Sequence, residues 1–195
     1  MKVLLIGVRP PGAAPPIVSS LDIDAVARRL QPNHTFVRRC AGAEDFADAV
    51  KHAGARRLVD RLDILDHGAE GIQAMGDAVL WKSDAAPESA LVGRELALDI
   101  KPYLSETAQI RLLGCSTAKG RAGRLLLLKL GRVLGPYRTV FGMIDRVVED
   151  DFDAEGYAPA LEHQRIFSSS AALEGEAPSS KQRLENLRAA QAVFL

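Results

Sequence analysis

Cys115 and His67 are the two side chains whose types and positions could carry covalent chemistry. Cys115 follows the apolar run Ile110, Leu112, Leu113, which reads as a short buried strand broken by Gly114. It precedes a leucine-rich helix that begins near Ala122. Amide N–H groups at a helix start stabilise negative charge, so a cysteine in this turn is placed to react as a thiolate. His67 holds a matching place upstream. Arg61-Leu-Asp-Ile-Leu-Asp-His-Gly-Ala-Glu-Gly reads as a strand ending in a glycine turn, with His67 the last side chain before the break. Alone, each has a bland explanation: a free cysteine usually packs as a small hydrophobe, and a strand-end histidine often only bonds a carbonyl. Together, delivered by two strands at corresponding ends, they form a candidate dyad in which His67 takes or shares the thiol proton.

The elements that must position this pair alternate along the chain. Val3 to Val8 is a continuous apolar run closed by Arg9-Pro-Pro-Gly, as expected of a central parallel strand covered on both faces. Ser19 or Ser20 can cap a helix with Ile23, Val26, Ala27 and Leu30 at helical spacing, ended by Pro32. A strand over His34 to Arg39 follows, with His34 read as a surface residue at its edge. Glu44 to Ala55 repeats the helical pattern, and Leu62 to Leu65 is the strand that carries His67. Gly71 to Trp81 reads as a β-hairpin turning at Gly76-Asp77, with Trp81 packed beneath it. Pro87-Glu88-Ser89 can open a helix to Ile100, anchored by Leu91, Leu96 and Leu98. After Cys115 come a buried helix over Leu125 to Leu134, stopped by Gly135-Pro136, and a strand over Thr139 to Ile144. Glu149 to Asp153 reads as a solvated acidic loop without the spacing of a calcium loop. Glu162 to Ala172 is read as an edge strand, and Ser179-Ser180 as the cap of a final amphipathic helix carrying Leu184, Leu187, Ala190 and Phe194.

Strand–helix alternation predicts a three-layer α/β fold with a mainly parallel sheet. The 195 residues, 47% hydrophobic, suit a single domain with its core in 1–145. Formal net charge is +0 and aromatics are 5%, so the sequence predicts neither a nucleic-acid partner nor membrane attachment. Cys40 and Cys115 are the only cysteines and show no metal-site spacing, and the N-terminal apolar run is cut off by Arg9. The expectation is a reduced cytoplasmic protein that needs no metal and no cofactor. No phosphate-binding glycine motif is present.

The succession Ile-Leu-Asp-His-Gly, hairpin, helix, Arg-Leu-Leu-Gly-Cys-Ser-Thr-Ala and helix resembles the caspase–gingipain superfamily of clan CD cysteine peptidases. It is closest to the bacterial caspase-like and CHAT-type branches, over roughly Met1 to Asp145. The resemblance implies helices on both faces of a sheet with central order 2-1-3-4, His67 ending the third strand and Cys115 the neighbouring fourth. It also implies an oxyanion hole from the backbone N–H groups of Gly68 and Cys115, and a polypeptide substrate. His67 precedes Cys115 by 48 residues, close to the roughly 50 of caspases. The caspase Gln-Ala-Cys-Arg-Gly is absent, and Leu113 stands where metacaspase-like relatives carry Asp, so the substrate pocket is not carried over.

Loops at the carboxyl ends of strands line the site in an open α/β sheet. Arg9 follows the first strand and Asp145 the strand after the Cys115 helix. Arg9 would select an acidic residue before the cleaved bond and Asp145 a basic one. The choice falls on Asp145, because Arg9 precedes Pro10 and is held extended. Two other functions use the same residues. Cys115 to Arg121 spells C-x5-R, the phosphate-cradling loop of tyrosine phosphatases, although Gly114 and Ala122 replace the usual flanking His and Ser or Thr. Alternatively, the fold serves as an interaction or regulatory module with a silent dyad and an unidentified protein partner.

Overall fold

Branched and leucine side chains with no polar interruption make the first strand a fully covered one, and the rest of the sheet is laid down beside it. A computed structural model describes residues 1–9, 12, 21–157 and 166–169. β1 (Lys2–Gly7) pairs in parallel with β2 (Phe36–Cys40) on one side and β3 (Val59–Leu65) on the other. β7 (Leu104–Leu112) continues the parallel ladder beside β3, and β8 (Thr139–Met143) lies beside β7. β11 (Ile166–Ser168) closes the edge antiparallel to β8, where an edge strand is expected. The sheet order is therefore β11-β8-β7-β3-β1-β2. Its central run 2-1-3 followed by the Cys115 strand matches the expected caspase-like arrangement.

Period-two alternation splits the strands between two faces. Val3, Leu5, Leu62, Ile64, Ile110, Leu112 and Val140 belong to one core, shared with Phe46 and Val50 of α2 (Ala43–Arg56), Ala97 and Ile100 of α3 (Arg94–Ile100), and Leu126, Leu127 and Leu130 of α4 (Gly120–Leu134). Leu4, Ile6, Leu65, Leu113 and Met143 face the other way, into a second core. There they meet Val26, Ala27 and Leu30 of α1 (Ile23–Leu30) and the chain after β8, through Val147, Phe152 and Tyr157. Each fully buried leucine in these layers contributes about 1.5–3 kcal/mol. Helices thus cover both faces, three on one side and α1 on the other.

A small antiparallel sheet rises from the end of β3. It is formed by β4 (Gly68–Ala69), β5 (Ile72–Met75) and β6 (Ala78–Lys82), and it turns at Gly76-Asp77 as the sequence predicts. Gly76 takes φ +61°, a conformation open to glycine at little cost. Trp81 is fully buried beneath the hairpin and meets Phe46 edge to face at 5.6 Å.

Four local expectations are corrected. The cap of α1 is Asp22, whose carboxylate accepts from Ala25 N–H at 2.9 Å, and not Ser19 or Ser20. The helix expected from Pro87 forms only over Arg94–Ile100; before it, Lys82 and Val92 make an isolated antiparallel bridge that holds the chain extended. The acidic run is not a free loop: Arg29 pairs with Asp150, Glu149 accepts Asp22 N–H, and Phe152–Asp153 (β9) pairs with Gly156–Tyr157 (β10). His34 is not a surface residue, for a reason given below. The final helix proposed after Ser179-Ser180 lies outside the described residues.

Candidate active site

Parallel register delivers the two candidate residues to one edge. Ile64 of β3 lies opposite Leu112 of β7, and Leu113 N–H donates to Ile64 O at 2.9 Å. His67 and Cys115 each follow that pair by three residues, at the carboxyl ends of adjacent strands. Their turns are in backbone contact. A Cβ built on Gly68 would fall 2.7 Å from Cys115 O, and one on Gly114 would fall 2.8 Å from Gly68 N. The His-Gly and Gly-Cys pairs are therefore packing requirements, since a side chain at either glycine would force the turns apart. The two residues expected to form an oxyanion hole, Gly68 and Cys115, are neighbours here.

The Cys115 turn is stitched to the chain that follows β8. Ser116 N–H donates to Asp145 O at 2.8 Å, Ala118 N–H to Met143 O at 2.7 Å, and Met143 N–H to Thr117 Oγ1 at 3.1 Å. Ser116 adopts φ +57°, unusual for a residue with a side chain. Cys115 is only 5% exposed, and its thiol is held by Val147. The thiol sits 3.6 Å from Val147 O, to which it donates, and accepts from Val147 N–H at 3.5 Å.

His67 is 9% exposed, and its Nδ1 is buried with no hydrogen-bond partner. Its backbone is gripped on both sides: the N–H donates to Asp66 Oδ1 at 2.6 Å and the carbonyl accepts from Ala74 N–H at 3.2 Å. Burial holds the ring below the ordinary imidazole value; the Asp66 charge opposes this and the Arg9 charge adds to it. Arg9 thus acts on His67 from the end of β1. Asp145 is exposed, and its carboxylate accepts from Arg146 N–H at 2.8 Å. Arg9, His67, Cys115 and Asp145 all follow carboxyl ends of parallel strands. Arg121, the arginine of the C-x5-R spacing, is exposed in the first turn of α4.

Two features were not foreseen from the sequence. Asp66 is buried and serves the His67 turn; an acceptor-only side chain beside a His-Gly break was the available signal. The other is an ionic cluster inside the second core. Asp63 is fully buried and accepts from Arg111 Nε at 2.7 Å and from Arg111 Nη2, with Arg61 Nε at 3.3 Å. His34 joins them, its Nε2 2.8 Å from Asp63 Oδ2 and its Nδ1 2.7 Å from Leu30 O, with a side chain that is 0% exposed. The hydrogen bond to the buried Asp63 carboxylate holds the His34 ring inside, against the expectation of a surface residue. Tyr157 caps the cluster, its ring 5.7 Å from the Arg111 guanidinium and its hydroxyl donating to Leu112 O at 2.7 Å. Burial alone would push the Asp63 carboxyl up, but the Arg111 charge, with the hydrogen bonds of His34 and Arg111, holds it well below the usual range.

The class defined by this geometry is an α/β protein with a His/Cys pair at one edge of its parallel sheet. A family model described as "Domain of unknown function (DUF4347)" matches residues 19–141, and the chain belongs to that family. No curated protein and no solved structure matches it. Among the described residues no helix is long and apolar enough to cross a membrane, and no group of three or more His, Cys, Asp or Glu is placed to hold a metal ion.

Proposed function

We propose that this protein is a caspase-like cysteine endopeptidase acting through His67 and Cys115. The observation that carries the reading is the buried, unpartnered Nδ1 of His67 on a turn in backbone contact with the Cys115 turn. A buried imidazole nitrogen without a partner is costly unless chemistry supplies one. In the reaction, His67 takes the Cys115 proton and the thiolate attacks the scissile carbonyl carbon. The developing oxyanion is met by the N–H groups of Gly68 and Cys115. Collapse of the tetrahedral species breaks the C–N bond, His67 returns its proton to the leaving amine, and a thioester remains. Water, deprotonated by His67, then releases the acid and regenerates the thiol. No cofactor enters these steps.

For attack, the thiol must leave Val147, so the segment after β8 has to yield when a peptide enters. Arg9 and Asp145, which follow the carboxyl ends of β1 and β8, are the residues proposed to read the side chain before the cleaved bond, with Asp145 preferred. Cys40 and Cys115 are thiols not joined in a disulfide, which suits a reducing compartment, and we assign the activity to the cytoplasm. Cys115, 5% exposed and with its thiol bonded to Val147, favours a second reading as a silent interaction module.

A thiol-reactive peptide probe and a peptide pool, applied to wild type, Cys115→Ala, His67→Ala, Cys40→Ala and Arg121→Ala, test the choice. The peptidase reading expects labelling and turnover lost with Cys115→Ala, and turnover lowered by about 10²–10⁴-fold with His67→Ala. Cys40→Ala and Arg121→Ala should match wild type. Hydrolysis of an aryl phosphate that depends on Arg121 would turn the assignment to a phosphatase. Equal turnover in wild type and Cys115→Ala would exclude both enzymes.

A further inference from the structure

The residue before the histidine has the most constrained carboxylate near the site. Asp66 is 2% exposed. One oxygen accepts the His67 N–H at 2.6 Å, and the other accepts the Gly76 N–H at 2.5 Å from the tip of the β5–β6 hairpin. The end of β1 is shaped around it: a Cβ on Gly7 would overlap Asp66 Oδ2. The hairpin tip also bears on the ends of β1 and β2. Asp77 N–H donates to Ala41 O at 3.0 Å, and a Cβ on Gly76 would fall 2.7 Å from Val8 O. The ends of β1 and β3 and the hairpin turn therefore meet on one carboxylate.

We propose that Asp66 is the positioning residue of this site: its carboxylate clamps the His67 backbone to the hairpin tip and so sets where the imidazole is held. The inference rests on the peptidase reading for its catalytic consequence, but not for the clamp itself. Only an ionised carboxylate can do this work. It accepts two N–H groups at once, whereas an amide of the same shape accepts with its oxygen and turns an NH₂ donor towards the second N–H. Burial drives the Asp66 carboxyl above its usual range, while the His67 and Gly76 N–H bonds, with the His67 and Arg9 charges, pull it back. The groups whose charge acts on His67 are Asp66 and Arg9.

The test uses the full chain with Asp66→Asn and, separately, Gly7→Ala, whose methyl group crowds Asp66 Oδ2 while the carboxylate is kept. Cooperative melting checks folding, ring proton resonances follow the His67 titration, and turnover of a cleaved peptide gives kcat and KM. In folded Asp66→Asn the His67 midpoint should fall below that of wild type, and kcat should drop by about 10²-fold with KM unchanged, as misplacement of a catalytic group predicts. Gly7→Ala should lower kcat in the same sense, and it carries the test alone should Asp66→Asn not melt cooperatively. Unchanged His67 titration together with wild-type kcat in a folded variant would overturn the proposal and leave Asp66 a structural buried acid. If wild type cleaves no peptide, the peptidase reading fails, while Gly7→Ala, which keeps the Asp66 charge, still decides: a shifted His67 midpoint supports the clamp and an unchanged one overturns it.

Discussion

His67 and Cys115 leave the same edge of the sheet, each three residues past the register pair Ile64 and Leu112 on neighbouring parallel strands. Parallel pairing makes that coincidence stable, because a one-residue slip of β7 would turn Cys115 to the opposite face. The ring of His67 is held below the ordinary imidazole value by burial. A depressed histidine binds its proton less readily folded than unfolded, so folding loses stability as pH falls below the ordinary value near 6.5, until the folded value is passed. Wild type should lose melting temperature over that acid window more steeply than His67→Gln. Parallel Tm-versus-pH curves for the two proteins would contradict the burial of the ring.

The two thiols should differ sharply in reactivity. Cys40, at the end of β2, is fully buried, and burial pushes its thiol up to about 12, with Asp45 adding to the effect and Arg38 opposing it. At pH 8 iodoacetamide should label Cys115 in the native protein and Cys40 only after unfolding, as read by mass spectrometry of the peptides. Val147→Gly should speed Cys115 labelling severalfold by loosening the segment that holds the thiol, and leave Cys40 untouched. Faster labelling of Cys40 than of Cys115 would reverse this account.

Asp63 should be the most costly acid to neutralise. Asp63→Asn removes the carboxylate that faces Arg111 and Arg61, of which Arg61 keeps its ion pair with Glu155, and loss of one partner of such a buried cluster costs about 3–5 kcal/mol. Because the folded carboxyl is held below its usual range, its contribution is complete above the unfolded value and is lost as pH falls through the folded one. Urea unfolding at neutral pH should show the full difference between wild type and variant, and the difference should shrink in strong acid. A variant within about 1 kcal/mol of wild type at neutral pH would mean that the cluster is energetically idle.

Ser116 follows Cys115 at φ +57°. Left-handed backbone costs an ordinary residue about 1–2 kcal/mol, and glycine avoids that cost while adding unfolded-state entropy. Ser116→Gly should therefore be neutral or stabilising by up to about 1 kcal/mol, and Ser116→Val clearly destabilising. Calorimetric melts of the pair provide the check; a Val variant as stable as Gly would show that the turn relaxes out of this conformation.

Much of this architecture was legible because strong local patterns survive burial. The apolar runs at β1, β3, β7 and β8, the 3.6-residue spacing in α1 and α2, the leucine run of α4, and the Gly76-Asp77 turn all express preferences of neighbouring residues, and tertiary packing agrees with them. His67 and Cys115 were legible for the same reason, since each closes a strand at a glycine. The structure decided what depends on residues distant along the chain. His34 is internal because its ring bonds to Asp63, 29 positions away. The helix expected from Pro87 is shortened because Val92 bonds to Lys82. The Cys115 thiol is covered because Val147, 32 positions on, lies across it. Asp66 becomes a clamp only once Gly7 and Gly76 arrive beside it. Hydrophobic periodicity is written in neighbouring residues and can be read from them; the pairing of buried charges and backbone N–H groups is a property of three-dimensional neighbours, which only the fold selects.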